Sequence, residues 1–264
     1  MAQMNLSVRR GFKAGTKIQS IKVPEELRVK HSTGLDWVDL ALGGQGFTPT
    51  TTMMLTGGPG CGKSTLLRQL ADSMTDKGHI VVYNTGEESL FQCKLSCERL
   101  KLEQDFMVAE ETQLPELLKF LDGLRKKNPD KRIVLLQDSL ATLDDGKYRD
   151  GGTTGATPVR CTERLVSWMQ ENLGFCVFIG QACKDGSFSG KNVIRHAIDV
   201  HGHLWYDTDK KAETYGCLLF EVSKNRWGVC GRTFIMGLTE KGLEERGSFC
   251  KAEVNRKTVG DEDE

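Results

Sequence analysis

Residues 57–64 read GGPGCGKS, which satisfies the pattern G-x-x-x-x-G-K-[ST] through Gly57, Gly62, Lys63 and Ser64. With Gly58, Pro59, Gly60 and Cys61 between the fixed positions, successive backbone N–H groups of such a loop can wrap a phosphate. A helix opening at Lys63, Ser64 and Thr65 aims its positive dipole end at the same anion. Lys63 supplies a point charge for the β- and γ-phosphates, and the Ser64 hydroxyl is placed to hold Mg²⁺. The chemistry expected here is binding of ATP with Mg²⁺.

Hydrolysis needs further groups, and the ends of other apolar runs supply them. IVLLQDS places Asp138 at the C-terminal edge of a run, as a second anchor for Mg²⁺. IVVYNTG leads straight into Glu87 and Glu88. Each carboxylate can do one job, and Glu87 is the one expected to polarise the attacking water. The alternative, a solvated pair that favours the dipole of the next helix, stays open. FIGQ ends at Gln181, an amide that can sense a γ-phosphate and pass its position to the loop behind it. That loop holds Gly186 and Gly190 around Lys184, Lys191 and Arg195, and reads equally as a binding loop or a surface connection.

These residues require a scaffold of strands and helices. Apolar runs at 52–56, 80–83, 133–136, 176–179, 203–206, 217–222 and 233–236 have the length of strands buried on both faces. Helical patterns fill the gaps at 63–77, 89–101, 114–127 and 159–173. Ser89 with Gln92 makes a capping-box signature, and leucines 114, 117, 118, 121 and 124 recur at helical spacing. Strand and helix in alternation predict right-handed βαβ crossovers and an α/β sandwich.

The 264 residues suit one large domain or two small ones, with no repeat at solenoid or propeller period. Composition is that of a soluble globular chain, and no stretch approaches the roughly 18–20 apolar residues that span a bilayer. The N-terminus has no apolar signal region. Nine cysteines include no CxxC pair, and the odd count points to a reducing, cytoplasmic compartment. Cys93 and Cys97, four apart, fall on one helix face. His201 and His203 are two apart, with no Cys or carboxylate to complete a zinc set.

The motifs together resemble the RecA superfamily: the phosphate loop, TGEES at 85–89, QDSLATL at 137–143, the loop at Lys184, and KNRWG at 224–228. The pattern is similar to the ATPase core of the bacterial RadA (Sms) DNA-repair family. STGLDWVDLALGGQGF at 32–47 also resembles the segment that leads into that core and into KaiC. The resemblance covers roughly residues 30–240 and implies a RecA-type fold: a mostly parallel central sheet flanked by helices, with a C-terminal antiparallel extension. Charge and weak periodicity set off a basic arm or linker at 1–30 and a tail with an acidic end at 246–264 from a RecA-like core at 31–245.

The resemblance further implies a hexameric ring or filament of identical subunits with ATP between them. Lys224 and Arg226, projecting from one strand face, would then look toward a neighbour's nucleotide. It implies ATP-driven action on single-stranded DNA in recombination or replication, alongside other proteins of those processes and with no membrane. The DNA loops would be 144–158, with Lys147 and Arg149, and 184–195, with Lys184, Lys191 and Arg195. Trp227, where the family usually has Phe, and Phe188 serve either as packing or as stacking platforms.

There are also departures. RadA proteins begin with a four-cysteine zinc motif, whereas no cysteine here precedes Cys61. They end in a protease-like domain, so a core-only relative is expected. Gln181 stands where the family commonly has His, and Thr50 where it has Gly. Two other readings remain: a DnaB-like helicase or its loading partner, and a KaiC-like regulatory ATPase that binds proteins. A nucleotide kinase fits poorly, since no Arg-rich lid insertion is evident.

Charge does not decide against DNA. The 36 Lys+Arg balance 36 Asp+Glu, but residues 1–30 carry about +5 and the last four residues are all acidic. Repetition of a basic loop around one channel builds positive potential without a global excess.

Overall fold

The computed structural model describes residues 14–148, 152–180 and 192–250. One nine-stranded sheet runs in the order β3-β2-β4-β5-β1-β6-β7-β8-β9. Its parallel half comprises β1 (Thr52–Gly57), β2 (Ile80–Thr85), β3 (Met107–Ala109), β4 (Ile133–Asp138), β5 (Phe175–Ile179) and β6 (Val200–Tyr206). The antiparallel extension adds β7 (Leu218–Asn225), β8 (Arg232–Thr239) and β9 (Gly242–Cys250). This is the mixed RecA-type architecture that the motifs implied.

Alternate strand residues enter two separate cores. Met53, Leu55, Val81, Val134, Leu136 and Val177 face α2 (Lys63–Asp76), with Leu66, Leu67 and Leu70 packed onto them. Met54, Val82, Leu135, Cys176 and Phe178 face α4 (Leu114–Lys127) and α5 (Thr157–Asn172). Burial on both sides explains why β1, β4 and β5 read as continuous apolar runs. Each fully buried leucine contributes about 2 kcal/mol of transfer free energy.

Local signals set the helix ends. In α3 (Leu90–Leu100) the capping box is complete: Gln92 N donates to Ser89 Oγ at 3.3 Å, and Ser89 N donates to Gln92 Oε1 at 2.9 Å. Helix α4 places Pro115 in its first turn and Arg125, Lys126 and Lys127 in its last, where its dipole favours cations. Short α1 (Asp36–Ala41) is tied to the chain before it through Asp39, whose carboxylate accepts from Thr33 N at 2.8 Å and Ser32 Oγ at 2.5 Å.

Two strands escaped the apolar-run reading. Strand β3 is a short edge strand with Met107 and Val108 exposed, and β9 is the polar opposite edge, GLEERGSFC. β9 pairs with β8 through Cys250↔Arg232, past residue 245. Among the described residues, no helix is long and apolar enough to cross a membrane.

Candidate nucleotide site

The phosphate loop leaves β1 at Gly57, whose φ is 154°. A Cβ there would lie 2.3 Å from the Leu204 carbonyl oxygen of β6, so the position requires glycine. Gly60 and Gly62 adopt φ of 77° and 86°, the left-handed region. Gly62 caps α2 with no side-chain hydrogen bond, and the first turn carries no acidic residue. The amides of Lys63, Ser64 and Thr65 thus head a 14-residue helix with a free positive end. Lys63 Nζ folds over the loop, donating to Gly57 O at 3.0 Å and Gly58 O at 2.8 Å. Buried Cys61 anchors the loop, while Pro59 and Gly60 are exposed at its tip. This donor set, cationic with no acidic side chain, fits a polyphosphate.

Behind the loop, Thr56 Oγ1 lies 2.8 Å from both His201 Nε2 and His203 Nδ1. Burial lowers both imidazoles, His201 to about 4, so they serve as neutral hydrogen-bonding groups.

Strand order sets the depth of the site. β5 lies between β1 and β4, so its end at Gly180 points between the phosphate loop and Asp138. Gln181, expected to act from that point, lies outside the described residues. Asp138 closes β4, where its Oδ2 accepts the Tyr83 hydroxyl at 2.9 Å. Asp138 and Ser64 would be the oxygen donors if Mg²⁺ is held here. The Asp138–Ser139 peptide is cis.

The two glutamates part company. Thr85 pairs with Asp138 across β2 and β4, and Gly86 N donates to Asp138 O at 3.0 Å, which brings the Glu87–Glu88 segment beside the aspartate. Glu87 Oε1 accepts the Ser139 hydroxyl at 2.5 Å. Glu88 instead forms an ion pair with buried Arg68 of α2. Arg68 also lies over the Tyr83 ring, 5.4 Å from its centroid. On α3, Cys93 and Cys97 share one face as their spacing requires. The Cys97 hydrogen bond, then the Arg68 guanidinium, pull the Cys93 thiol down.

At the end of the strands opposite the phosphate loop, the cations of KNRWG gather at the C-terminus of α6 (Asn192–Ala197). Lys224 Nζ donates to the carbonyls of Arg195 and Ile198, and Arg226 donates to His196 O. Arg226 also pairs with Asp199 at 3.2 Å. Asn225 points the other way, to Leu42 O at 3.2 Å. Burial lowers Lys224 and raises Asp199. Asp199 accepts the Thr52 N–H at 3.0 Å, which fixes this cluster at the start of β1. The phosphate loop leaves the other end of that strand, about 16 Å away at strand rise. Lys224 and Arg226 therefore do not reach the phosphate loop of their own chain.

Of the residues expected to bind DNA, Lys147 is exposed, with Nζ 5.6 Å from the Tyr148 ring centroid. The segment before it is pinned by the ion pair of Arg160 with Asp145. Exposed Arg195 lines a cleft of about 390 Å³ with His196, Ser223 and Lys224. Arg149, Lys184, Lys191 and Phe188 lie outside the described residues. Trp227 is 44% exposed, and its carbonyl accepts from Lys30 Nζ at 3.4 Å.

Sequence reasoning passed over Arg68, Tyr83, Ser139 and Asp199. One signal was available: Arg68 interrupts the core-facing stripe TLLRQLA, and a cation there needs a buried partner.

No protein-family model matches the chain. DNA repair protein RadA of Haemophilus influenzae is 29% identical over 231 residues, 87% of this chain and 48% of that protein. RadA of Aquifex aeolicus is 30% identical over 84% of the chain and 47% of the relative. RadA of Mycobacterium tuberculosis is 31% identical over 80% and 42%. The chain thus spans about half the length of the curated relatives it matches. A solved DnaB-like replicative helicase, described with its interactions with primase, superposes with a TM-score of 0.68. At 13% identity over 80% of this chain and 61% of that one, the likeness is of fold alone.

The fold is RecA-like and carries a phosphate loop of the P-loop type. Over most of its own length the chain is similar to the bacterial DNA repair protein RadA.

Proposed function

We propose that the chain is a DNA-dependent ATPase of recombination or repair, active as a ring or filament of identical subunits with ATP between them. Lys63 and the amides of 57–65 bind the phosphates of ATP, and Ser64 and Asp138 hold Mg²⁺. Glu87 orients and deprotonates the attacking water. Glu88, committed to Arg68, keeps a supporting role. Gln181 senses the γ-phosphate. Lys224 and Arg226 neutralise charge at the site of the next subunit. Single-stranded DNA contacts Lys147, Arg149, Lys184, Lys191 and Arg195.

One observation carries this reading: Lys224 and Arg226 stand at the end of β1 opposite the phosphate loop, with Asp199 tying them to Thr52. Their distance from the loop of their own chain supports a role at the site of a second copy, in a head-to-tail interface. The test is ATP turnover per chain against protein concentration, with sedimentation in parallel. Turnover is expected to rise with concentration as ATP drives assembly. Constant turnover per chain by a monomer would refute the shared site.

A further inference from the structure

We propose that Arg68 is a positioning residue for the carboxylates of the ATP site, a role that rests on the function proposed above. Arg68 belongs to α2, the helix that opens at the phosphate loop, yet its side chain lies among core leucines at 4% exposure. Burying a guanidinium costs several kcal/mol unless it is paired, so its partners account for its place there.

Those partners form a closed circuit. Arg68 is ion-paired with Glu88, and Glu88 is bonded through the chain to Glu87. Glu87 accepts the Ser139 hydroxyl at 2.5 Å, and Ser139 follows Asp138. Asp138 accepts the Tyr83 hydroxyl at 2.9 Å, and the Tyr83 ring lies under Arg68. Six residues on α2, β2, the segment after β2 and the end of β4 are thereby locked to one another.

The circuit does two things. It neutralises Glu88 and turns it inward, so that of the adjacent carboxylates only Glu87 is left to face a water. It also fixes the rotamer of Asp138 from below, through Tyr83. At 4% exposure, Arg68 is closed off from the surface where nucleotide and water would bind. It acts by setting where two other side chains point, and displacement of about 1 Å at a reacting group costs on the order of 10²-fold in rate.

The test compares wild type with Arg68→Lys, Tyr83→Phe and the double variant Arg68→Met/Glu88→Met. The double variant removes both buried charges together and so avoids stranding one of them. Binding of a fluorescent ATP analogue is titrated with Mg²⁺, and kcat and KM are measured separately. In Tyr83→Phe the Mg²⁺ concentration for half-maximal analogue binding should rise by about threefold or more. In the double variant, kcat should fall at least about tenfold while analogue affinity stays within about threefold. Arg68→Lys, which keeps the charge, should recover part of that loss.

A folded double variant with wild-type kcat, or Tyr83→Phe with an unchanged Mg²⁺ midpoint, would overturn the proposal. If the wild type binds the analogue without hydrolysing ATP, the hydrolase reading fails, and the Mg²⁺ midpoint of Tyr83→Phe still decides the role of the circuit.

Discussion

Ser139 Oγ donates to Glu87 Oε1 across 2.5 Å, so the residue after Asp138 holds one oxygen of a glutamate that follows a different strand. In the proposed function the other oxygen orients the attacking water. Glu87→Gln is expected to bind ATP normally and to lose about 10²–10⁴-fold in kcat. Ser139→Ala keeps the carboxylate but frees its rotamer, and should lose about threefold to tenfold. Single-turnover hydrolysis together with nucleotide binding checks both. Near-normal turnover by Glu87→Gln would remove Glu87 from its role.

The separation of Lys224 and Arg226 from their own phosphate loop makes a complementation test possible. Lys63→Ala and Arg226→Ala should each lose on the order of 10³-fold in turnover, one for want of its phosphate lysine and the other of its finger. Mixed in equal amounts, they should regain activity, because about a quarter of head-to-tail interfaces then pair an intact loop with an intact Arg226. No recovery from variants shown to co-assemble would place the cations outside the neighbour's site.

Two substitutions involving glycine should differ in their cost. Gly57→Ala drives a Cβ to 2.3 Å from Leu204 O, and is expected to cost about 1–3 kcal/mol and to weaken ATP binding. Thr50 stands where the RadA family commonly has Gly, and it holds a φ of 76° that disfavours a β-branched residue by about 1–2 kcal/mol. Thr50→Gly relieves that strain while losing a small buried side chain, so its stability should lie within about 1 kcal/mol of wild type. Urea unfolding at neutral pH measures both.

Acid should weaken the fold through its histidines. Half-buried His31 and His79 form a ring cluster with buried Phe175, with centroids 5.3–5.8 Å apart. Burial first, then His31 and Arg132, lower His79 to about 4 from 6.5, and burial then Arg132 lower His31. The unfolded chain therefore binds protons that the folded chain refuses. The contribution of His79 to stability is fully present above pH 6.5 and is lost as pH falls from 6.5 toward 4. His79→Gln should flatten that loss in urea midpoints compared at pH 7.5 and pH 5. It should not abolish the loss, since His201 is also lowered to about 4.

The parallel half of the fold was legible because its strands are buried on both faces, and every apolar run from 52–56 to 233–236 became a strand. Edge strands β3 and β9 were not, since each has one partner and no continuous apolar run. The phosphate loop, Asp138 and Glu87 could be placed because each follows directly from a strand end. The division of labour between Glu87 and Glu88 was not fixed by sequence. It depends on Arg68, a cation twenty residues upstream of Glu88 that meets it only after α2 packs on β2. The spacing of Lys224 and Arg226 showed a shared face, whereas their distance from the loop required the register of β1, β6 and β7.

ATPase rate with and without a single-stranded oligonucleotide, at two salt concentrations, tells a DNA-dependent motor from other ATPases. Stimulation of about fivefold or more is expected at low salt, shrinking steeply as salt rises, as for Lys and Arg contacts to phosphate. An identical rate with and without DNA, and no DNA binding at low salt, would contradict it and favour a regulatory ATPase that answers to protein partners.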